Sequence, residues 1–169
     1  MSNLEKRARL WAIHWHGDQV RKYTGEPYWR HPEAVAALVK TVHHTPEMIA
    51  AAFMHDVIED TDCTEEHMRS TFGDAVTDLV MWLTDVSKPT DGNREARKRV
   101  DRAHTDAAPR EAKTIKLADL IDNSRSITQY DPDFARVYLN EKRLLLDEAL
   151  RDGDATLWAI ADEIVRKAG

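Results

Sequence analysis

At 169 residues, 42% hydrophobic and 32% charged, the chain is long enough for one domain with a sizeable core and too apolar to be disordered. A formal net charge of −6 argues against a general nucleic-acid binder, and no run approaches the roughly 18 apolar residues a membrane span needs. The single cysteine, Cys63, permits no internal disulfide, and the opening "MSNLEKRARLW" lacks the apolar stretch of a signal peptide, which together predict a cytoplasmic protein.

The predicted elements are helices throughout. Leu4, Ala8, Trp11 and Trp15 recur at three- and four-residue spacing and predict an amphipathic first helix. "DQVRKYTGEPYWRHP" breaks the pattern at Gly25, Pro27 and Pro32, and a second helix starts near Pro32 and runs through "EAVAALVKTV". Thr45-Pro46 opens a third, "PEMIAAAFM", which leads into the acidic stretch "HDVIEDTD" at 55–62. "TEEHMRSTF" and "DAVTDLVMWLTDV" predict two more helices, separated by Gly73.

"SKPTDGN" (87–93) reads as the clearest loop, and a charged helix "REARKRVDRAHTD" follows it. A longer helix runs from Pro109 to about Thr128. Another starts at Asp131-Pro132, with Phe134, Val137, Tyr138, Leu145 and Ala149 on its apolar side, and a last one begins near Asp154. The expectation is an all-α, compact bundle of about eight to nine helices in one domain, residues 1–169.

Charge is unevenly spread. Residues 1–31 hold six Lys/Arg against three acids, residues 47–85 ten acids against Arg69, and residues 88–116 nine bases against five acids. An acidic segment between basic ones suits a cation beside a phosphate-bearing ligand, although solvated helix faces give the same counts.

Three stretches can carry chemistry. In "HDVIEDTD", helical geometry sets Glu59 about 40°, Asp56 about 100° and Asp60 about 140° from His55, within one arc. His55 and Asp56 can then reach one divalent ion while Glu59 and Asp60 hold water beside it. The bland alternative is three solvated acids and a satisfied core histidine. In "KTIKLADLIDNSRS" (113–126), Lys116, Asp119, Asn123 and Ser126 share one side, able to supply a phosphate contact, a metal ligand and a hydrogen bond. An ordinary polar outer face is the competing reading. In "RKYTGEPYWRHP" (21–32), Arg21 and Lys22 precede a Gly-Pro turn, and His31 stands at a helix start, where a ligand is held rigidly.

These stretches, in this order and at these separations, resemble the hydrolase domain of the RelA/SpoT family within the HD-domain phosphohydrolases, closest in size to the single-domain small alarmone hydrolases. "HGDQ" (16–19) is similar to the end of that family's first helix. Residues 127–169 carry no motif. The resemblance implies that His31, His55, Asp56 and Asp119 ligate a single Mn2+, a donor set also suited to Fe or Zn. It implies that Glu59 and Asp60 position and deprotonate the attacking water, Glu59 with raised proton affinity. It places Asn123 at the substrate's sugar and phosphate, Arg21 and Lys22 at phosphate and base, and Lys116, Arg125 and Ser126 along the substrate wall.

The implied reaction is hydrolysis of the 3′-diphosphate of guanosine tetra- or pentaphosphate to GDP or GTP and pyrophosphate. Leu120 and Asp122 depart from the family's usual basic residue and its histidine or tyrosine. They keep open a second substrate, such as NADPH or another phosphorylated nucleotide; a non-catalytic alarmone-binding sensor is the third reading. The implied partner is a small nucleotide, with no nucleic acid or membrane. Exposed-looking tryptophans leave room for a homodimer. The length implies a protein that degrades the alarmone without a synthetase domain.

Overall fold

The computed structural model describes residues 1–167, and among these it holds ten α-helices and no strand. One isolated bridge pairs Val20 with Pro27. Nine helices are of ordinary length and the tenth is a single turn, so the all-α expectation holds. The chain divides into two compact units, Met1–Thr84 and the residues from Asp85 on.

The first unit contains α1 (Asn3–His16), α2 (Arg30–Val39), α3 (Pro46–Met54), α4 (Val57–Asp60), α5 (Glu65–Phe72) and α6 (Asp74–Leu83). Its centre is α3, in which every residue from Met48 to Met54 is buried. The run Ala50-Ala51-Ala52 lets neighbouring backbones come close, and α1, α2 and α6 all pack against it. A helix apolar on every side belongs in a core. Thr45 caps it by accepting from Met48 N at 3.2 Å, and Thr64 caps α5 through His67 N at the same distance.

The buried stripe of α1 differs from the expectation. Glu5, Ala8, Ala12 and His16 face inward, while Leu4, Trp11 and Trp15 do not. Glu5 tolerates burial because Lys40 Nζ lies 2.9 Å from its Oε2. Trp11 and Trp15 flank the stripe and stack edge-on with His67 at 5.0 and 5.6 Å. All five tryptophans are half-buried, so none forms the exposed surface the sequence suggested.

The second unit contains a short 3-10 turn (Pro89–Asp91), α7 (Arg94–Asp106), α8 (Arg110–Tyr130), α9 (Pro132–Glu148) and α10 (Ala155–Lys167). The turn falls inside the predicted loop. Its axis is α8, whose Ile115, Leu117, Leu120 and Ile121 are buried, with α9 and α10 packed on it. Asp131 caps α9 by accepting from Phe134 N. The inward side of α9 is Ala135, Tyr138, Leu139, Leu145 and Leu146. Phe134 and Val137, expected there, are 36% and 52% exposed. No described helix is long and apolar enough to cross a membrane.

Candidate metal centre

The acidic stretch does not form one continuous helix. Helix α3 stops at Met54, His55 and Asp56 form a turn, and α4 resumes at Val57. His55 sits at the C-cap, where helix carbonyls lack amide partners, and its Nδ1 lies 2.9 Å from Ala52 O. A carbonyl oxygen only accepts, so Nδ1 carries the proton and Nε2 presents its lone pair. This second contact is the kind that orients a metal-ligating imidazole.

His55 Nε2 lies 3.0 Å and His31 Nε2 3.6 Å from Asp56 Oδ2. His31 comes from the first turn of α2, and its ring centroid is 5.1 Å from that of His55. Both imidazoles are 1% exposed. One ligand atom from each of His31, His55 and Asp56 falls within 4.8 Å of the others. Two imidazole nitrogens aimed at one carboxylate oxygen call for positive charge, which a divalent cation supplies; the nitrogen-oxygen donor set fits such an ion and disfavours a soft one.

Tyr28 completes this corner. Its hydroxyl donates to Asp56 Oδ2 at 2.6 Å, and its ring lies 5.8 Å from His31. Desolvation first, and then the charge of Asp56, raises the Asp60 pKa against the opposing influence of the nearby Tyr28 hydroxyl. Asp60 is thus a carboxylate whose proton affinity is raised beside the cluster. Glu59 and Asp60, with Trp15, Gln19, Thr61 and Asp62, line a cleft of about 460 Å³.

Arg21 and Lys22 lie in the turn closed by the Val20–Pro27 bridge, where Arg21 N donates to Glu26 O at 2.8 Å. Gly25 makes that turn possible with φ of 69°. Lys22 is exposed, and its Nζ stands 4.9 Å over the Tyr23 ring.

The remaining expected residues belong to α8 in the second unit. Asp119, 7% exposed, is gripped from both sides: Lys116 Nζ lies 3.2 Å from Oδ2, and Asn123 Nδ2 donates to Oδ1 at 2.7 Å. The predicted shared face of Lys116, Asp119 and Asn123 is real. Ser126 is half-buried and Arg125 exposed. Leu120, 1% exposed, sits in the core, which accounts for an apolar residue there.

The sequence reading passed over several neighbours. Tyr138, 8% exposed, is held next to Ser124 and Asp119, and burial raises its pKa. Lys142 lies 4.9 Å over the Tyr138 ring. Burial lowers it to about 8, and the charges of Lys116 and Lys98 add to the effect. Asp85, against the desolvation that works to raise it, is held low by Lys116, Lys98 and Lys142. In the first unit, His16, Gln19 and Tyr28 were likewise unassigned, although they lie in the quoted stretches "HGDQ" and "RKYTGEPYWRHP".

An all-helical scaffold that gathers two buried imidazoles and a carboxylate beside an acidic cleft defines a class of proteins that bind a divalent metal. The profile of the HD domain family matches residues 8–144, and the chain belongs to that family. It is 36% identical over 142 residues to a probable guanosine-3′,5′-bis(diphosphate) 3′-pyrophosphohydrolase of Synechocystis, covering 81% of this chain and 18% of that protein. The corresponding Danio rerio pyrophosphohydrolase is 36% identical over 111 residues, covering 64% of this chain and 60% of its own length. A solved metazoan ortholog of SpoT that hydrolyses ppGpp superposes with a TM-score of 0.88 at 30% identity, covering 100% of this chain and 97% of its own. The chain spans 18% to 22% of the length of the three bacterial relatives from Synechocystis, Haemophilus influenzae and Aquifex aeolicus.

Proposed function

We propose that the protein is a manganese-dependent hydrolase of the 3′-diphosphate of guanosine tetra- or pentaphosphate, releasing GDP or GTP and pyrophosphate. The observation that carries this reading is the His31–His55–Asp56 cluster with Glu59 and Asp60 on the next turn. The named activity of the relatives supports the substrate class. The family match runs through both units and supports treating residues 1–169 as one hydrolase domain.

His31, His55 and Asp56 hold the ion in this proposal, with Asp119 as the fourth ligand the family resemblance implies. Lys116 and Asn123 each hold one oxygen of Asp119 and fix its rotamer, which supports that role. The bound ion supplies Lewis-acid chemistry, lowering the pKa of a water from about 15.7 toward neutrality and offsetting phosphoryl charge.

The chain's own groups do the rest. In this proposal Asp60 and Glu59 orient the water and accept its proton, a reading supported by their shared cleft and the raised pKa of Asp60. Oxygen from the water joins a phosphorus of the 3′-diphosphate, and the bond between that group and the ribose 3′-oxygen breaks with the electron pair leaving on the ribose oxygen. That oxygen then takes a proton. Arg21 and Lys22 bind phosphate and base, and Asn123, Lys116, Arg125 and Ser126 line the sugar and phosphate side.

The test is a panel of nucleotides incubated with the manganese-loaded protein, products being separated by ion exchange. Pyrophosphate should appear from guanosine tetraphosphate with the wild type and not with Asp56→Ala. No pyrophosphate from the wild type defeats the substrate assignment, and activity surviving in Asp56→Ala defeats the metal assignment. Phosphate release from NADPH instead would transfer the same site to another nucleotide.

A further inference from the structure

His16 and Gln19 have no part in the chemistry just described, yet they are built into its frame. Helix α1 ends at His16, and Gly17, with φ of 48°, turns the chain so that Gln19 N donates back to His16 O at 2.9 Å. The His16 side chain is 1% exposed. Its Nδ1 lies 2.9 Å from Gln19 Oε1, and Gln19 Nε2 donates to the Asp60 backbone carbonyl at 2.9 Å.

The donor directions in this chain are forced. The Asp60 carbonyl only accepts, so the Gln19 amide must turn its nitrogen toward it and its oxygen toward His16. His16 Nδ1 must then carry a proton. One tautomer and one amide rotamer are compatible with both contacts.

The carbonyl at the far end has no partner within its own turn, and on this exposed edge Gln19 takes the place water would otherwise fill. Asp60 is the last residue of α4, a helix of one turn, followed by Thr61 in extended conformation. The turn has its own bonds from Asp60 N to Asp56 O at 2.9 Å and from Thr61 Oγ1 to Val57 O at 2.5 Å. Neither reaches the Asp60 carbonyl, which is among the unsatisfied groups every helix end leaves. Gln19 supplies the missing donor from 41 residues away. Its own carbonyl accepts from Tyr28 N at 2.8 Å, so one residue ties both the Asp60 turn and the turn bearing Tyr28.

We propose that His16 and Gln19 are positioning residues for Asp60: His16 fixes the Gln19 amide, and Gln19 fixes the main chain from which the Asp60 carboxylate reaches the cleft. This inference rests on the reading that Asp60 works on the attacking water. A reacting group displaced by about 1 Å can cost on the order of 100-fold in rate. The effect therefore belongs to turnover and not to metal or substrate affinity.

Paired substitutions separate positioning from bulk stability. His16→Asn keeps a donor where Nδ1 stood, whereas His16→Gln places one nearer the position of Nε2. Gln19→Glu can accept from His16 but cannot donate to Asp60. With the manganese-loaded protein and guanosine tetraphosphate, Gln19→Ala, Gln19→Glu and His16→Gln should lose at least about tenfold in kcat, with KM within about twofold. His16→Asn should stay within about threefold of wild type, and manganese affinity by calorimetry should be unchanged throughout.

Backbone amide exchange around residues 60–63 should accelerate in Gln19→Ala and His16→Gln but not in His16→Asn, with α6 amides unchanged. This measurement needs no substrate. If the wild type releases no pyrophosphate, the functional reading has failed and amide exchange alone decides on the clamp. Unchanged exchange at 60–63 in Gln19→Ala overturns it. So does an equal loss of kcat in both His16 variants that tracks their melting temperatures.

Discussion

Replacing Tyr28 by phenylalanine removes one hydroxyl from the most crowded corner of the site and leaves the ring in place. The lost group donates to Asp56 Oδ2 at 2.6 Å, between half-buried residues. A hydrogen bond to a charged acceptor contributes about 1.5–3 kcal/mol, and leaving the carboxylate without that donor places the cost within this range. For a domain of this size each kcal/mol moves the melting temperature by roughly 2–4 °C, so a fall of about 3–12 °C is expected.

Thermal unfolding followed by circular dichroism, in chelator and in manganese, measures it. The fall should be largest in chelator, where Tyr28 is a principal partner of the ionised Asp56, and smaller in manganese, where that charge is shared. A Tyr28→Phe protein as stable as wild type in chelator would refute this account of how the site holds its charge without metal.

Added manganese should raise the melting temperature of the wild type, by about 2.7 kcal/mol in stability at 100 times Kd, and chelator should reverse it. Asp56→Ala should show no such rise, because the cluster of His31, His55 and Asp56 then lacks its carboxylate. Lys142 predicts a pH effect at the other end of the titration range. Its folded pKa of about 8 lies below the ordinary 10.5, so between those values the unfolded chain binds more protons and stability from this group rises with pH. Lys142→Met should abolish that rise in denaturant titrations and stabilise the protein at pH 7, by on the order of 1–3 kcal/mol.

Much of the molecule could be read locally. Caps at Thr45, Thr64 and Asp131 stop and start helices within four residues of sequence, and their hydrogen bonds are formed in the structure. The spacing of Lys116, Asp119 and Asn123 on α8 is likewise a local matter, and the side chains meet as helical geometry requires. His55 and Asp56 are adjacent in sequence and meet in space, but His31 joined them only through the family resemblance.

What the sequence determined by itself is the succession of helices and the inventory of donors, because capping and periodicity act over one or two turns. Tertiary structure decided which side of each helix is inside. Glu5 and His16 displaced the tryptophans from the core face of α1 because Lys40, far along the chain, pairs with the Glu5 carboxylate and Gln19, beyond the helix end, takes the His16 Nδ1. Tertiary structure also decided the interruption between Met54 and Val57, and the clamp of Gln19 on Asp60. A hydrogen bond spanning 41 residues leaves no periodic trace, since its partners are chosen by how helices pack and not by where they start or stop.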